Sequence, residues 1–215
     1  MNTTAYIERL KNLKEGERSR LRSLAGRRLD ARLDGFDLFT GLWWPLRADS
    51  PAAPRREPSW LVAKLFGAFG DAVPHVRPDE QTAGPTLPAV LGLCEPRRPH
   101  CLDAAPLNSP PPDHEPAKSE FIAARKFRTR FDAVVCSALS GLEPHLRWAL
   151  GEVAKAVAGR VPHAKGACGI DWARLLDDLS IWDRGESHRR GRDIHDIWAE
   201  AYLNAADRTT RHQGA

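Results

Sequence analysis

Four side chains able to ligate a metal, His188, Asp193, His195 and Asp196, fall within nine positions of the segment GIDWARLLDDLSIWDRGESHRRGRDIHDIWAEAYL at 169–202. An adjacent histidine and aspartate are what an HD-type phosphohydrolase uses to hold a divalent cation and activate water. Such a centre also needs a further upstream histidine and a distant aspartate around the same ion, with the pair itself inside a helical bundle. Helical spacing puts His195 and Asp196 beside the apolar stripe of their helix, not in it. Asp193 and Asp196 then read as first-turn acids that answer the positive end of the helix dipole. His188 lies in the polar connection before that helix. A helix start explains the cluster better than a metal centre, and a helical HD-like phosphohydrolase using His195 and Asp196 stands as the alternative.

Other chemistries have weaker support. A zinc site from Cys94, His100, Cys101 and His114 would need irregularly spaced ligands within a proline-rich stretch. The chain has no GxxxxGK[ST], GxGxxG or GxSxG, and the adjacent Asp177 and Asp178 leave a helix in different directions on a side that reads as solvated. No catalytic residue, metal or cofactor is therefore expected. Four cysteines form no CxxC pair, the chain starts without an apolar signal segment, and no run approaches the ~18 apolar residues of a membrane span. The expected setting is reducing and cytoplasmic, with no membrane partner.

Charge is the more informative signal. The 215 residues carry 32 Lys and Arg against 28 Asp and Glu, a net charge of only +4. Its distribution is uneven: residues 1–32 hold nine basic and four acidic side chains, 118–130 hold five and one, and 184–192 hold four and one. The remainder is net acidic. Clustering of this kind is a footprint of polyanion binding, and also what an arginine-rich solvated face looks like.

The elements that position these charges read as helices, since apolar residues recur at helical spacing and no segment alternates like a strand. Residues 5–14 and 17–30 read as helices broken at Gly16, with Leu21, Leu24 and Ala25 inward, Arg20 and Arg27 outward, and Arg28 near the stripe. GFDLFTGLWWPLR (35–47) is apolar, interrupted by glycine and stopped by Pro45. Ser59 reads as the N-cap of the buried helix WLVAKLFGAFG, and LPAVLGLC as a short helix with Pro88 in its first turn. From Glu95 to Pro116 seven of 22 residues are proline, as in a linker.

Beyond it, Ser119 is the expected cap of a helix running to about Leu139, with Phe127, Phe131, Val134, Val135 and Ala138 inward. Arg125 and Lys126 face outward while Arg128 and Arg130 flank the stripe, so positive charge gathers near the helix N-terminus, where it opposes the macrodipole and invites an anion. Pro144 starts the next helix, with Leu146, Ala149, Leu150, Val153 and Val157 inward as far as Gly159. Two final helices follow, one with Trp172, Leu175, Leu176, Leu179 and Trp182 inward, the other with Ile194, Ile197, Trp198, Ala201, Tyr202 and Ala205 inward. Asp171 suits the positive end of the first, and Arg174 can pair with Asp178. The expected fold class is all-α: two small helical bundles, 1–95 and 118–215, joined by a proline-rich linker over 96–117.

The runs SEFIAARKFRTRFDAVV, LEPHLRWAL, IDWARLLDDLSIWDR and IWAEAYL resemble the CasB family, the small subunit of the type I-E CRISPR surveillance complex Cascade. Ser119, Glu120, Arg130, Phe131, His145, Leu146, Arg147, Ile170, Asp171, Trp172, Leu175, Leu176, Asp178, Leu179, Trp182, Trp198, Ala199 and Tyr202 match the family pattern in order. Upstream, WLVAKLFGAF (60–69) fits its aromatic helix. Two features depart from the pattern, the long GESHRRGR connection and the long proline-rich stretch.

The resemblance implies a non-catalytic, all-helical subunit present as two copies beside the backbone and large subunits, contacting guide RNA and target DNA and holding the opened R-loop. Lys and Arg along a groove do this by meeting phosphates without reading sequence. The expected nucleic-acid-binding residues are Arg18, Arg22, Arg27, Arg28, Arg125, Lys126, Arg128, Arg130 and Arg147, with Arg189, Arg190 and Arg192 of the last loop as secondary candidates. Arg130 and Arg147 occupy motif positions, and the others follow from charge clustering.

Overall fold

A computed structural model describes residues 3–27, 36–49, 54–79, 84–96, 115–183 and 192–211. Among them the regular structure is helical, and an isolated bridge between His75 and Ile170 is the only extended pairing. The helices are α1 (Thr3–Lys11), α2 (Glu15–Ser23), α3 (Phe36–Asp49), α4 (Arg56–Phe69), α5 (Leu87–Leu93), α6 (Glu115–Val135), α7 (Glu143–Val157), α8 (Trp172–Ser180) and α9 (Ile194–Arg211), with a 3₁₀ turn at Leu139–Gly141. No described helix is long and apolar enough to cross a membrane.

Several local signals act differently from their sequence reading. The first break falls at Asn12–Lys14, and Gly16 sits inside the first turn of α2. That turn is closed because Glu17 accepts the Lys14 amide at 2.8 Å. Pro45 does not end α3, which continues to Asp49. Proline removes one helical hydrogen bond, and the packing of Phe39 against Trp60 and of Trp43 against Phe39 holds the segment helical across it. Ser59 is not a cap, because α4 starts three residues earlier, and its hydroxyl instead donates to the Arg55 carbonyl at 2.8 Å. Ser119 likewise lies within α6, which begins at Glu115. Thr86 and Asp171 do act as caps: Thr86 Oγ1 accepts from Ala89, and Asp171 Oδ1 accepts from Ala173 and Arg174.

One apolar cluster runs from Tyr6 to Tyr202 and contains Trp60, Trp172, Trp182 and Trp198. Helices on either side of the proline-rich segment share it: α5 lies along α9, and α8 packs on α1 and α4. Two bundles divided at that segment would therefore meet through a common apolar interface. The indole and phenol groups brought into this core all find acceptors, as burial demands. Tyr6 Oη donates to the Ser59 carbonyl at 2.8 Å, Trp172 Nε1 to Val73 at 2.9 Å and Trp182 Nε1 to Ser137 at 2.9 Å.

Candidate nucleic-acid interface

Helix α6 turns Phe121, Ala124, Phe127, Phe131 and Val134 into the core and leaves Arg125, Lys126 and Arg130 exposed. Neither Arg125 nor Lys126 has a side-chain partner among the described residues. The Arg130 guanidinium lies 5.7 Å from the Trp148 ring centroid, and Trp148 meets Phe127 edge-on. Because α6 begins at Glu115, these cations sit along its middle and not in its first turn. The helix dipole, which acts within a turn of the end, does not set their field. Arg128 departs from the group. Its Nε donates to Glu95 at 2.7 Å, and Glu95 also accepts the Tyr202 hydroxyl at 2.7 Å, so its charge is committed to a buried contact. Burial and the neighbouring carboxylate push the Tyr202 phenol well above its ordinary range.

The candidates on α2 surround the C-terminal end of α4. Arg18 Nη1 pairs with Asp71 at 2.7 Å and its Nε donates to Leu13, while Arg22 Nε donates to the Gly67 carbonyl at 3.0 Å. Cations suit that end of a helix. Arg147, on α7, lies 5.8 Å from the Phe69 ring, and its Nη1 is buried without a hydrogen-bond partner among the described residues. Arg192 pairs with Glu200 of α9. Arg28, Arg189 and Arg190 lie outside the described residues, so the basic loop is represented by Arg192 alone.

Sequence reading missed a cleft of about 950 Å³ between the end of α2, the start of α4, the 3₁₀ turn and the start of α7. Arg27, Arg55, Arg56 and Lys64 line it together with Glu57, Glu143 and Asp183. Lys64 is 4% exposed and forms a 2.6 Å ion pair with Glu143, which is 14% exposed. Its ammonium also donates to the Arg27 carbonyl at 2.7 Å and lies over the Trp60 ring. Glu143 accepts the Gly26 amide at 2.7 Å, a contact set by the positive φ of 74° at Gly26 that turns the chain out of α2. The Asp183 carboxylate accepts the Leu139 amide at 3.1 Å. A visible signal existed in PRREPSW, where Arg55 and Arg56 open α4, but the opposite wall comes from residues more than eighty positions away.

The histidine–aspartate cluster resolves into a helix start. Asp193 Oδ1 accepts the His195 amide at 2.9 Å and lies 2.9 Å from His195 Nδ1, while the His195 ring meets Trp182 edge-on. No group of three or more metal-ligand side chains is gathered among the described residues. His188, His100, Cys101 and His114 lie outside them. Asp178 corrects the solvated reading of its helix side: it is buried, and it accepts from Trp198 and Arg174.

No curated protein matches the chain. The family model described as CRISPR-associated protein Cse2 matches residues 17–203. With most of its length covered by that match, which takes in α8 and the start of α9 with Trp172, Trp182 and Trp198, the chain belongs to the Cse2 family, the small subunits of the type I-E CRISPR Cascade complex.

Proposed function

We propose that this Cascade subunit is a non-catalytic nucleic-acid-binding protein that stabilises the R-loop between guide RNA and target DNA and holds the displaced strand. It acts in the cytoplasm as one of two copies beside the backbone and large subunits. The observation that carries the reading is the outward face of α6. There Arg125 and Lys126 have no partner among the described residues, and Arg130 extends the positive charge over the Trp148 ring. Cations of this kind on a helix meet backbone phosphates without base readout. R-loop formation exchanges one duplex for another of similar stability, so a few such contacts shift the balance.

The test is the salt dependence of single-stranded DNA binding. Arg125→Glu with Lys126→Glu is expected to weaken binding and flatten the slope of log affinity against log salt by about 0.7 for each phosphate no longer neutralised. An unchanged slope and unchanged R-loop lifetime in assembled Cascade would reject the α6 assignment.

A further inference from the structure

The cleft at the head of α4 faces solvent with more cationic than anionic side chains, Arg27, Arg55, Arg56 and Lys64 against Glu57, Glu143 and Asp183. Glu143 is committed to Lys64 and the Gly26 amide, and Asp183 to the Leu139 amide, all within the protein. On the open side stand Arg27 and Arg55, whose side chains have no hydrogen bond or ion pair to any described residue. The volume of about 950 Å³ is at the upper end of small-molecule sites, far more than a bare anion fills and enough for a nucleotide.

We propose that this cleft binds the phosphate group of a nucleotide, with the Arg27 and Arg55 guanidiniums as its charged donors and the wall at Ser140 bounding the sugar and base. A guanidinium presents a planar fork of donors that matches phosphate oxygens two at a time, and two forks on one cleft favour phosphate over a single carboxylate. The α4 terminus, which no side chain caps, adds to the positive field, and Glu57 in its first turn opposes it. Lys64 plays a different part: buried and neutralised by Glu143, it fixes the floor that holds Arg27 in place. The phosphate can come from a free nucleotide or from one residue of a bound strand, and only the second source rests on the function proposed above.

Calorimetric titration of the full chain with thymidine 5′-monophosphate and with oligothymidylate tests this. Arg27→Gln with Arg55→Gln is expected to weaken mononucleotide binding roughly tenfold or more, since two charge-assisted hydrogen-bonding groups are removed. Ser140→Trp, which fills the cleft and leaves its charge intact, is expected to do the same. Lys165→Gln, at an exposed cation outside both the cleft and the α6 face, is expected to leave mononucleotide binding unchanged. Oligothymidylate binding that also responds to the cleft substitutions identifies the ligand as a residue of the strand; binding that ignores them, while the mononucleotide responds, identifies a free nucleotide. Mononucleotide that does not bind, or that binds both cleft variants as well as the parent, overturns the proposal. If the double substitution unfolds the chain, Ser140→Trp decides. Loss of the α6 effect on oligothymidylate with the cleft effect intact would reject the strand-binding face and leave the cleft assignment standing.

Discussion

Trp198 donates its indole N–H to Asp178 Oδ2 at 3.0 Å, and this buried bond ties α9 to α8 across the loop that separates them. Arg174, one turn before Asp178, donates to the other carboxylate oxygen at 3.0 Å, so each oxygen has a partner. Edge-on packing of Trp182 against Trp198 closes the same contact from the apolar side. Two residues that a motif places in order along the chain are thus one structural unit. Removing the carboxylate leaves a buried indole donor without an acceptor, which is costlier than losing the bond alone. Asp178→Ala is expected to destabilise the fold by about 2–4 kcal/mol. Asp178→Asn, which keeps an acceptor for Trp198, is expected to cost less, and urea unfolding of the pair measures the difference.

Arg128 separates stability from binding on α6. Its partner Glu95 is almost fully buried and is shared with Tyr202, whose ring stacks on Phe131 at 3.9 Å. Truncating one member of such a pair leaves the other as an uncompensated charge. Arg128→Ala is expected to cost about 2–4 kcal/mol of stability, whereas Arg125→Ala and Lys126→Ala stay within about 0.5 kcal/mol. Thermal unfolding of the three variants, set beside their DNA affinities, distinguishes a cation that organises the fold from cations that face outward. Equal stability for all three would contradict the buried Glu95 contact.

His75 makes the fold sensitive to mild acid. Its Nδ1 accepts the Trp172 amide at 3.2 Å at the start of α8, so the neutral ring carries its proton on Nε2, which is buried without a partner among the described residues. Burial, outweighing the attraction of Asp171, holds its pKa below the ordinary histidine value. A histidine that resists protonation when folded contributes stability that is complete above the unfolded value near 6.5 and is lost as pH falls toward the folded value. The loss approaches about 1.4 kcal/mol per pH unit within that window. His75→Asn offers an amide oxygen in place of Nδ1 and does not titrate. Its melting temperature is expected to change less than the parent's between neutral pH and pH ~5, and parallel curves would contradict the role assigned to His75.

These contacts show which parts of the fold could be read from sequence. The inward faces of α7, α8 and α9 were legible because a repeat of 3.6 leaves its mark on apolar positions: Leu146, Leu150, Val153, Trp172, Leu176, Trp198 and Tyr202 are all buried. Local hydrogen bonding was legible at Asp171 and Thr86 but misleading at Ser59 and Ser119, since a serine about one turn into a helix looks like one at its start. What spacing does not encode is the partner of a charge. Asp178 and Trp198 are 20 residues apart, Lys64 and Glu143 are 79, and Glu95 and Tyr202 are 107. For the same reason Arg128 resembled its exposed neighbours, and the four segments around the cleft gave no combined signal.

Gly92 tests the close approach of α5 to α9, the junction beside the Glu95–Tyr202 contact. A Cβ built at Gly92 would stand 2.3 Å from the Tyr202 carbonyl oxygen and 3.0 Å from Ala205 Cβ, so the two helices must separate to admit even alanine. The obstacle is backbone, which cannot rotate away as a long side chain can. Gly151 on α7 provides the opposite case, since nothing lies within 4 Å of its added Cβ and its backbone is helical. There alanine restricts the unfolded chain and suits the helix, and Gly151→Ala is expected to raise stability by about 0.5–1 kcal/mol. Gly92→Ala brings the same entropic gain but forces apart the buried Tyr202 and Glu95 contact behind it, and is expected to lower stability by at least about 2 kcal/mol. Equilibrium unfolding of the two variants should therefore move in opposite directions. A neutral Gly92→Ala would mean that α5 and α9 lie farther apart than their packing here requires.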